Sequence, residues 1–406
     1  MNLKITPTPL SGRLTVPASK SMSHRAAIAA ALAEGESTIC NLSLSEDIEA
    51  TLAAVRQLGA SYTLPHKGQA VVQGGGQREG CPTFDCGESG STLRFLIPVA
   101  LALCGGASFT GRGRLMERPL VPYFELFKEK NIQYQLKGGV LAVKGRLASG
   151  VYALSGAVSS QFITGLLFAL PLCKGDSEIR ITDRLSSRGY VDMTLQALSD
   201  FGVHVEERDS SFFIPGGQRY HPRQMLVEGD YSQAAFFGAA NFIGSSVELL
   251  GLNPNSLQGD RAFEGILGRF KAPGTVCVDA DGIPDLVPAL AAAAAFRAGE
   301  ETRFENAGRL RIKESDRIAS TAAMLRALGA KAEEGPDGLT VKGEASLPGN
   351  IVPVDCQNDH RIAMAAAAAS VGCREKATLC GAECVKKSYP QFWEDFKDLG
   401  GIAEEC

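Results

Sequence analysis

The chain has 406 residues, 45% of them hydrophobic and 21% charged, with a formal net charge of -4. Such a length exceeds one ordinary core and points to two domains, and so small a net charge excludes nucleic acid or an acidic membrane as the main partner. The opening Met1-Asn2-Leu3-Lys4-Ile5-Thr6-Pro7 lacks an apolar signal-peptide core, and the longest apolar stretches, 286–296 and 362–371, are too short to span a bilayer, so a cytoplasmic protein is expected.

In chain order, residues 12–17 alternate as a strand with Leu14 and Val16 on one face. Ser19-Lys20-Ser21 follows, then an Ala-rich helix near 22–33 that Gly35 ends as a C-cap residue. Residues 37–42 read as a strand. Ser45-Glu46-Asp47 caps a second helix ending at Gly59, and 62–64 with 70–73 close the segment as a hairpin. Second helices ending in Gly recur at 191–202, 319–329 and 391–400, with strands after them such as 203–206 and 330–333. The repeated unit is β-α-β-α-β-β, used six times at an average spacing of about 70 residues. Three units make a half, and the boundary falls at Val227-Glu228-Gly229-Asp230. The expected lobes are 19–228, and 1–18 with 229–406, built of sheets around buried Ala-rich helices with an active-site cleft between them.

Six strand-to-helix junctions carry small polar or charged residues: Ser19-Lys20-Ser21, Gly87-Glu88-Ser89-Gly90, Val158-Ser159-Ser160-Gln161, Gly229-Asp230-Tyr231-Ser232-Gln233, Pro284-Asp285 and Asn358-Asp359-His360-Arg361. Free N–H groups and the positive dipole end favour anions at a helix N-terminus, so several such ends together suit a highly anionic ligand. Lys20, Ser21 and Arg25 at the first junction are phosphate or carboxylate chemistry, weighed against a solvated helix face. Gly90 allows a ligand close to the backbone, or simply a tight turn. In the basic loop 111–119, one or two of Arg112, Arg114 and Arg118 read as surface, and Arg118 is the best ligand candidate. The run Arg311-Ile312-Lys313-Glu314-Ser315-Asp316-Arg317-Ile318 would, on a helix, put Lys313 and Arg317 on one face, where it could equally be a solvated stripe. Asp285, at the mouth of an apolar helix, is an N-cap, a catalytic carboxylate, or both. The eleven cysteines read as reduced thiols; the close pairs Cys81 with Cys86 and Cys380 with Cys384 lack C-x-x-C spacing and read as small buried hydrophobes rather than zinc ligands, and no His set, Walker A or dinucleotide motif appears.

These motifs resemble the 5-enolpyruvylshikimate-3-phosphate synthase family of enolpyruvyl transferases. The similarity runs from residues 17–25 to Lys387-Ser388-Tyr389-Pro390, and its most specific pieces include Lys20-Ser21-Met22-Ser23-His24-Arg25, Glu117-Arg118-Pro119, Lys313-Glu314-Ser315-Asp316-Arg317 and Asn358-Asp359-His360-Arg361. The resemblance implies an α/β fold of two lobes, each an inside-out α/β prism of three β-α-β-α-β-β units. It implies transfer of the enolpyruvyl group of phosphoenolpyruvate to the 5-hydroxyl of shikimate 3-phosphate, through a tetrahedral intermediate and with release of phosphate, in the shikimate pathway to chorismate and the aromatic amino acids. It implies a monomer without metal or organic cofactor, and a target of glyphosate.

Carried over by motif, Lys20, Ser21, Arg25, Ser159, Ser160, Gln161, Ser187, Tyr190, Asp285, Arg309 and Lys313 would bind shikimate 3-phosphate. Lys20, Gly90, Arg94, Arg118, Gln161, Arg317, Arg361 and Lys387 would hold phosphoenolpyruvate. Asp285 would take the 5-hydroxyl proton, Glu314 would protonate the methylene carbon, and Lys20 would assist catalysis. The chain departs from the family pattern at Glu88, Phe95, Gly189, Arg309 and Val385, and Lys386 rivals Lys387. A UDP-N-acetylglucosamine enolpyruvyl transferase would carry Lys-Asn at the first helix and a reactive Cys in the 111–119 loop. Here stand Lys20-Ser21 and no Cys. An RNA 3'-phosphate cyclase is disfavoured by the acidic balance, and a non-catalytic anion binder by the paired carboxylates.

Overall fold

The computed structural model describes residues 1–76 and 80–406. The chain forms two compact units: Ala18–Glu228, the inserted unit, and Met1–Pro17 with Gly229–Cys406, the discontinuous unit. Two strands, β1 (Asn2–Thr6) and β2 (Ser11–Thr15), open the chain and belong to the discontinuous unit.

The inserted unit begins with α1 (Lys20–Leu32), β3 (Gly35–Cys40), α2 (Glu46–Gln57), β4 (Ser61–Thr63) and β5 (Gln69–Gly74). There follow β6 (Thr83–Asp85), α3 (Gly90–Leu103), β7 (Gly106–Thr110), α4 (Val121–Glu129), β8 (Gln133–Lys137) and β9 (Val140–Lys144). The third repeat is β10 (Val151–Leu154), α5 (Ser160–Ala169), β11 (Ser177–Ile181), α6 (Arg188–Asp200), β12 (Glu206–Arg208) and β13 (Ser211–Ile214), and β14 (Gln224–Leu226) ends the unit. Three four-stranded sheets result, ordered β14-β3-β5-β4, β6-β7-β9-β8 and β10-β11-β13-β12. Each starts with a parallel pair and ends with an antiparallel hairpin. Parallel neighbours need a crossover, which α3 and α5 supply within their repeats.

The discontinuous unit continues with α7 (Tyr231–Ile243), β15 (Ser246–Leu250) and α8 (Phe263–Phe270). Next come β16 (Val276–Asp279), α9 (Val287–Ala294), β17 (Glu301–Glu305), α10 (Arg317–Ala327), β18 (Lys331–Gly335) and β19 (Gly338–Lys342). It closes with β20 (Val354–Asp355), α11 (His360–Ser370), β21 (Ala377–Cys380), α12 (Phe392–Asp398) and β22 (Ile402–Glu405). Its sheets are β16-β17-β19-β18, β20-β21-β1-β22 and the two-stranded β15-β2. The repeat around α7 therefore lacks a terminal hairpin, because α8 runs directly into β16, and in the last repeat β22 pairs instead with β1 from the start of the chain.

Four local expectations change. The strand expected at 12–17 is β2, and it pairs with β15 (Leu14 opposite Leu249) rather than with the first repeat's sheet, where β14 stands instead. Gly35 heads β3 at φ 130°, and the α1 C-cap is Ala33. The strand expected at 203–206 begins only at Glu206. The charge run is not one helix: Gly308–Ile312 is a 3-10 turn and α10 starts at Arg317, because the Asp316 side chain accepts the Ala319 N–H at 3.1 Å and caps it.

Each unit has its own core. Helices α1, α3, α5, α7, α9 and α11 are buried on nearly every face. Their Ala- and Gly-rich sequences allow this, since small side chains let backbones approach, and each fully buried Leu or Phe adds about 1.5–3 kcal/mol. One contact between α3 and α5 shows the cause residue by residue. Pro98 has no N–H, so the Arg94 carbonyl four residues earlier loses its helical donor. Tyr123 Oη donates to that carbonyl at 2.7 Å, with the Phe162 carbonyl 3.1 Å away. Gly165 is required opposite, because a Cβ there would lie 2.4 Å from the Arg94 oxygen.

Candidate active site

Five of the six junctions supply a side chain that caps the following helix. In the inserted unit the caps are neutral: Ser19 accepts from Met22 N, Ser89 from Thr92 N, and Ser159 from Gln161 N. In the discontinuous unit Asp230 accepts from Ser232 N and Gln233 N, and Asp359 from Arg361 N. For α9 the N-cap is Leu286 and has no capping side chain, so Asp285 is not an N-cap and its carboxylate serves elsewhere.

In the discontinuous unit the structure gathers Asp285, Lys313, Glu314, Arg317 and Arg361. Arg317 is 1% exposed. Its Nη1 donates to Asp285 Oδ1 at 2.9 Å, its Nε to Asp359 Oδ2 at 3.0 Å, and its Nη2 to Glu314 Oε2. Arg361 Nη2 donates to Asp285 Oδ2 at 2.9 Å and to Ser232 Oγ at 3.2 Å, while Lys313 Nζ lies 3.8 Å from Asp285 Oδ1. Burial would raise the Asp285 pKa, but Arg361, Lys313 and Arg317 outweigh it and hold the carboxyl well below the usual range, against the opposing charge of Glu314. Burial likewise opposes the Arg317 charge, and Asp359, Glu314 and Asp285 more than restore it.

Lys387 Nζ donates to the Asn358 carbonyl at 2.6 Å, beside the Asp359 cap, and is buried. Lys386 is exposed, so of the two adjacent lysines it is Lys387 that turns inward. Arg309 Nη2 donates to the Asp281 carbonyl at 2.5 Å and lies 3.4 Å from the Asp281 carboxylate, which ties it to the loop that carries Asp285.

The inserted unit holds two further groups. In one, Lys20 Nζ pairs with Asp47 Oδ2 at 2.7 Å. Arg25, buried, donates to Thr194 Oγ1 at 2.9 Å and to the Ser21 and Tyr190 carbonyls at 2.7 Å each. Its guanidinium lies 5.3 Å from the centre of the Phe95 ring, one of the departures from the family pattern. Ser187 precedes α6 at φ 55°, an uncommon left-handed conformation for a non-glycine residue. In the other group, Arg94 Nη1 donates to Gln161 Oε1 at 2.6 Å and Nη2 to the Pro119 carbonyl at 3.1 Å, while Gln161 Nε2 donates to Ser91 Oγ at 3.0 Å. Ser159 and Ser160 start the same helix as Gln161. A Cβ on Gly90 would lie 2.8 Å from Arg118 Nη1, so Gly90 is what lets the guanidinium rest on the α3 backbone. Thr194 Oγ1 also meets Thr164 Oγ1 at 2.9 Å, which joins α6 to α5 beneath Arg25.

Sequence reasoning missed the partners of these groups: Asp47, Thr194, Ser232 and Asp359. Asp359 was legible only as part of a helix-start junction, and its bond to Arg317 was not. Glu88 lines a cavity of about 450 Å³ with Glu46, Glu49, Asp85 and Arg112. Among the described residues no group of three or more His, Cys, Asp or Glu is placed to hold a metal ion, and no helix is long and apolar enough to cross a membrane.

A family model described as EPSP synthase (3-phosphoshikimate 1-carboxyvinyltransferase) matches residues 5–277 and 272–396. A 3-phosphoshikimate 1-carboxyvinyltransferase of Clostridium beijerinckii is 45% identical over 431 aligned positions, covering 100% of this chain and 98% of that protein. One from Clostridium acetobutylicum is 45% identical over 428, covering 99% and 98%. Among solved structures, EPSP synthase from Acinetobacter baumannii superposes with a TM-score of 0.80 at 26% identity, with all of both chains covered. The enolpyruvyl transferase NikO from Streptomyces tendae shares the fold, with a TM-score of 0.79 at 16% identity over 99% and 98% of the two chains.

Proposed function

The chain belongs to the EPSP synthase family, and from that premise we propose how its residues divide the work of the family reaction. It is an enzyme that transfers the enolpyruvyl group of phosphoenolpyruvate to shikimate 3-phosphate, and the names of its relatives do not favour the UDP-sugar alternative. Each substrate carries a phosphate and a carboxylate, so four anionic groups must be held. Lys20, Ser21, Arg25, Ser159, Ser160, Gln161, Ser187 and Tyr190 take shikimate 3-phosphate, joined by Lys313 and Arg309. Gly90, Arg94, Arg118, Arg317, Arg361 and Lys387 take phosphoenolpyruvate, with Lys20 and Gln161 shared.

The observation that carries the mechanism is the Asp285 carboxylate held between Arg317 and Arg361, with Glu314 on the same Arg317 guanidinium. So strongly stabilised, Asp285 is ionised but a poor base. Substrate oxygens that draw Arg317 and Arg361 toward themselves relieve it of positive charge and raise its basicity as the 5-hydroxyl arrives. Asp285 then takes the hydroxyl proton while the oxygen attacks carbon 2 of phosphoenolpyruvate, and Glu314, which takes up a proton as Arg317 turns to the substrate, delivers that proton to the methylene carbon. In the tetrahedral adduct the movements reverse: the methyl group returns its proton to Glu314, the carbon–oxygen bond to phosphate breaks, and phosphate leaves with the proton that Asp285 gives back. The protein acts as a cytoplasmic monomer in this reading.

The test is phosphate release by the purified protein given both substrates, with each omitted in turn and EDTA present. Release that requires both and ignores EDTA supports the reading. Release from phosphoenolpyruvate alone, or none, removes it.

A further inference from the structure

Gln233, in the first turn of α7, is 1% exposed, and neither its Nε2 nor its Oε1 has a hydrogen-bond partner among the described residues. A buried donor or acceptor left unmet carries the full desolvation penalty of that group. A buried amide with both ends open is rare in folded proteins and calls for a cause. An apolar residue of similar size would fill the same space without that cost.

Its place supplies the cause. The adjacent Ser232 accepts from Arg361 Nη2, the nitrogen that also donates to Asp285. Helix α7 packs against both α9, which follows Asp285, and α11, which carries Arg361. The backbone donors of this turn are already used: Tyr231 N by Gln258 Oε1 at 3.1 Å, and Ser232 N and Gln233 N by Asp230 Oδ1 at 2.9 and 3.1 Å. An anion reaching this helix end meets no uncommitted first-turn amide, and what the turn still offers is the Gln233 side chain. Its burial matches that of Arg317 and Arg361, at 1% and 3%.

Resting on the reaction assigned above, we propose that Gln233 is a further phosphoenolpyruvate-binding residue, its Nε2 donating to an oxygen of the anion held by Arg361. The side chain stays polar at a cost in stability because the bound substrate completes it.

Gln233→Met, close in volume and apolar, and Gln233→Glu, close in shape but anionic, test this. KM for phosphoenolpyruvate at saturating shikimate 3-phosphate, KM for shikimate 3-phosphate, and Tm are measured for both and for the wild type. Gln233→Met is expected to raise KM for phosphoenolpyruvate about 10- to 100-fold, the loss of one hydrogen bond to a charged group. KM for shikimate 3-phosphate should stay within about two-fold and Tm should hold or rise. Gln233→Glu should weaken phosphoenolpyruvate further by repulsion. An unchanged KM for phosphoenolpyruvate, or equal loss for both substrates, overturns the assignment. Should Gln233→Met fail to fold, Gln233→Asn decides by the same two KM values, since it keeps the amide but draws it back by one methylene. Absent wild-type turnover removes the reaction, and this contact with it, whereas wild-type turnover with an unshifted variant removes Gln233 alone.

Discussion

The two units use the same helix-start geometry for opposite electrostatics. In the inserted unit the caps of α1, α3 and α5 are serines, and Arg25 bonds neutral oxygens of Thr194, Ser21 and Tyr190. A neutral cap leaves the positive end of the helix dipole uncancelled, and a guanidinium among neutral acceptors keeps its whole charge for a ligand. In the discontinuous unit the caps of α7 and α11 are aspartates, and Arg317 bonds Asp359, Asp285 and Glu314. Positive charge there is already met by carboxylates, which makes the carboxylates adjustable: move the cations and their proton affinity changes. On the proposed reading the inserted unit mainly holds anions, and the discontinuous unit, besides its share of the phosphoenolpyruvate contacts, moves protons. Lys20, paired with Asp47, is the inserted unit's departure from this division.

The largest expected effect strikes the proton-moving side. Asp285→Asn should lower kcat by about 10²- to 10⁴-fold, the usual contribution of a positioned base. The same variant should leave shikimate 3-phosphate binding, measured by calorimetry, within a few-fold of wild type, because the inserted unit's cations are untouched. Turnover near the wild-type rate would break the division. Next in size, Arg25→Gln should weaken shikimate 3-phosphate binding by about 10- to 100-fold, the range for hydrogen bonds to a charged group, while kcat at saturating substrate changes little. A variant that lost kcat and kept affinity would place proton chemistry in the wrong unit.

What the sequence showed follows from how local each signal is. A strand, a small polar residue and an Ala-rich helix stand within ten or so residues of one another, so the junctions at Ser19, Ser89, Ser159, Asp230 and Asp359 were readable. The closing of the first sheet was not. β14 pairs with β3 across some 180 intervening residues, and no local pattern marks that choice over β2. The start of α10 at Arg317 lies two residues before the expected 319, although an Asp followed by a good helix former is itself a start signal. In the site, the cations were visible as residue types and Asp285 as a cap or a catalytic carboxylate, but the acid role proposed for Glu314 came with the family resemblance. Their setting is made of long-range pairs, Arg317 with Asp359 and Arg25 with Thr194, whose partners lie 42 and 169 residues away. Such pairs are products of the fold and leave no spacing to read.

The smallest expected effect tests the anion-holding side through His24, one turn from Lys20 and beside Arg25 in α1. Its Nδ1 meets Thr51 Oγ1 at 2.7 Å, and the ring is 1% exposed. Burial first, then the charges of Lys20 and Arg25, push its pKa well below 6.5, so the folded protein keeps it neutral. The unfolded chain protonates the same residue near 6.5 and therefore binds more protons between the two pKa values. Stability from this residue is complete above pH 6.5 and declines as the pH falls below it, by up to about 1.4 kcal/mol per pH unit. His24→Gln removes the titration. Urea unfolding at pH 7.5 and 5.5 should show the wild type losing about 1.4 kcal/mol more than the variant over that interval, the other four histidines cancelling in the difference. Equal losses would mean that His24 carries its proton in the fold, and that the inserted unit tolerates a third cation beside Lys20 and Arg25 without penalty. The uncancelled charge assigned to that unit would then not be what limits its stability, and the contrast with the carboxylate-rich unit would have to rest on geometry alone.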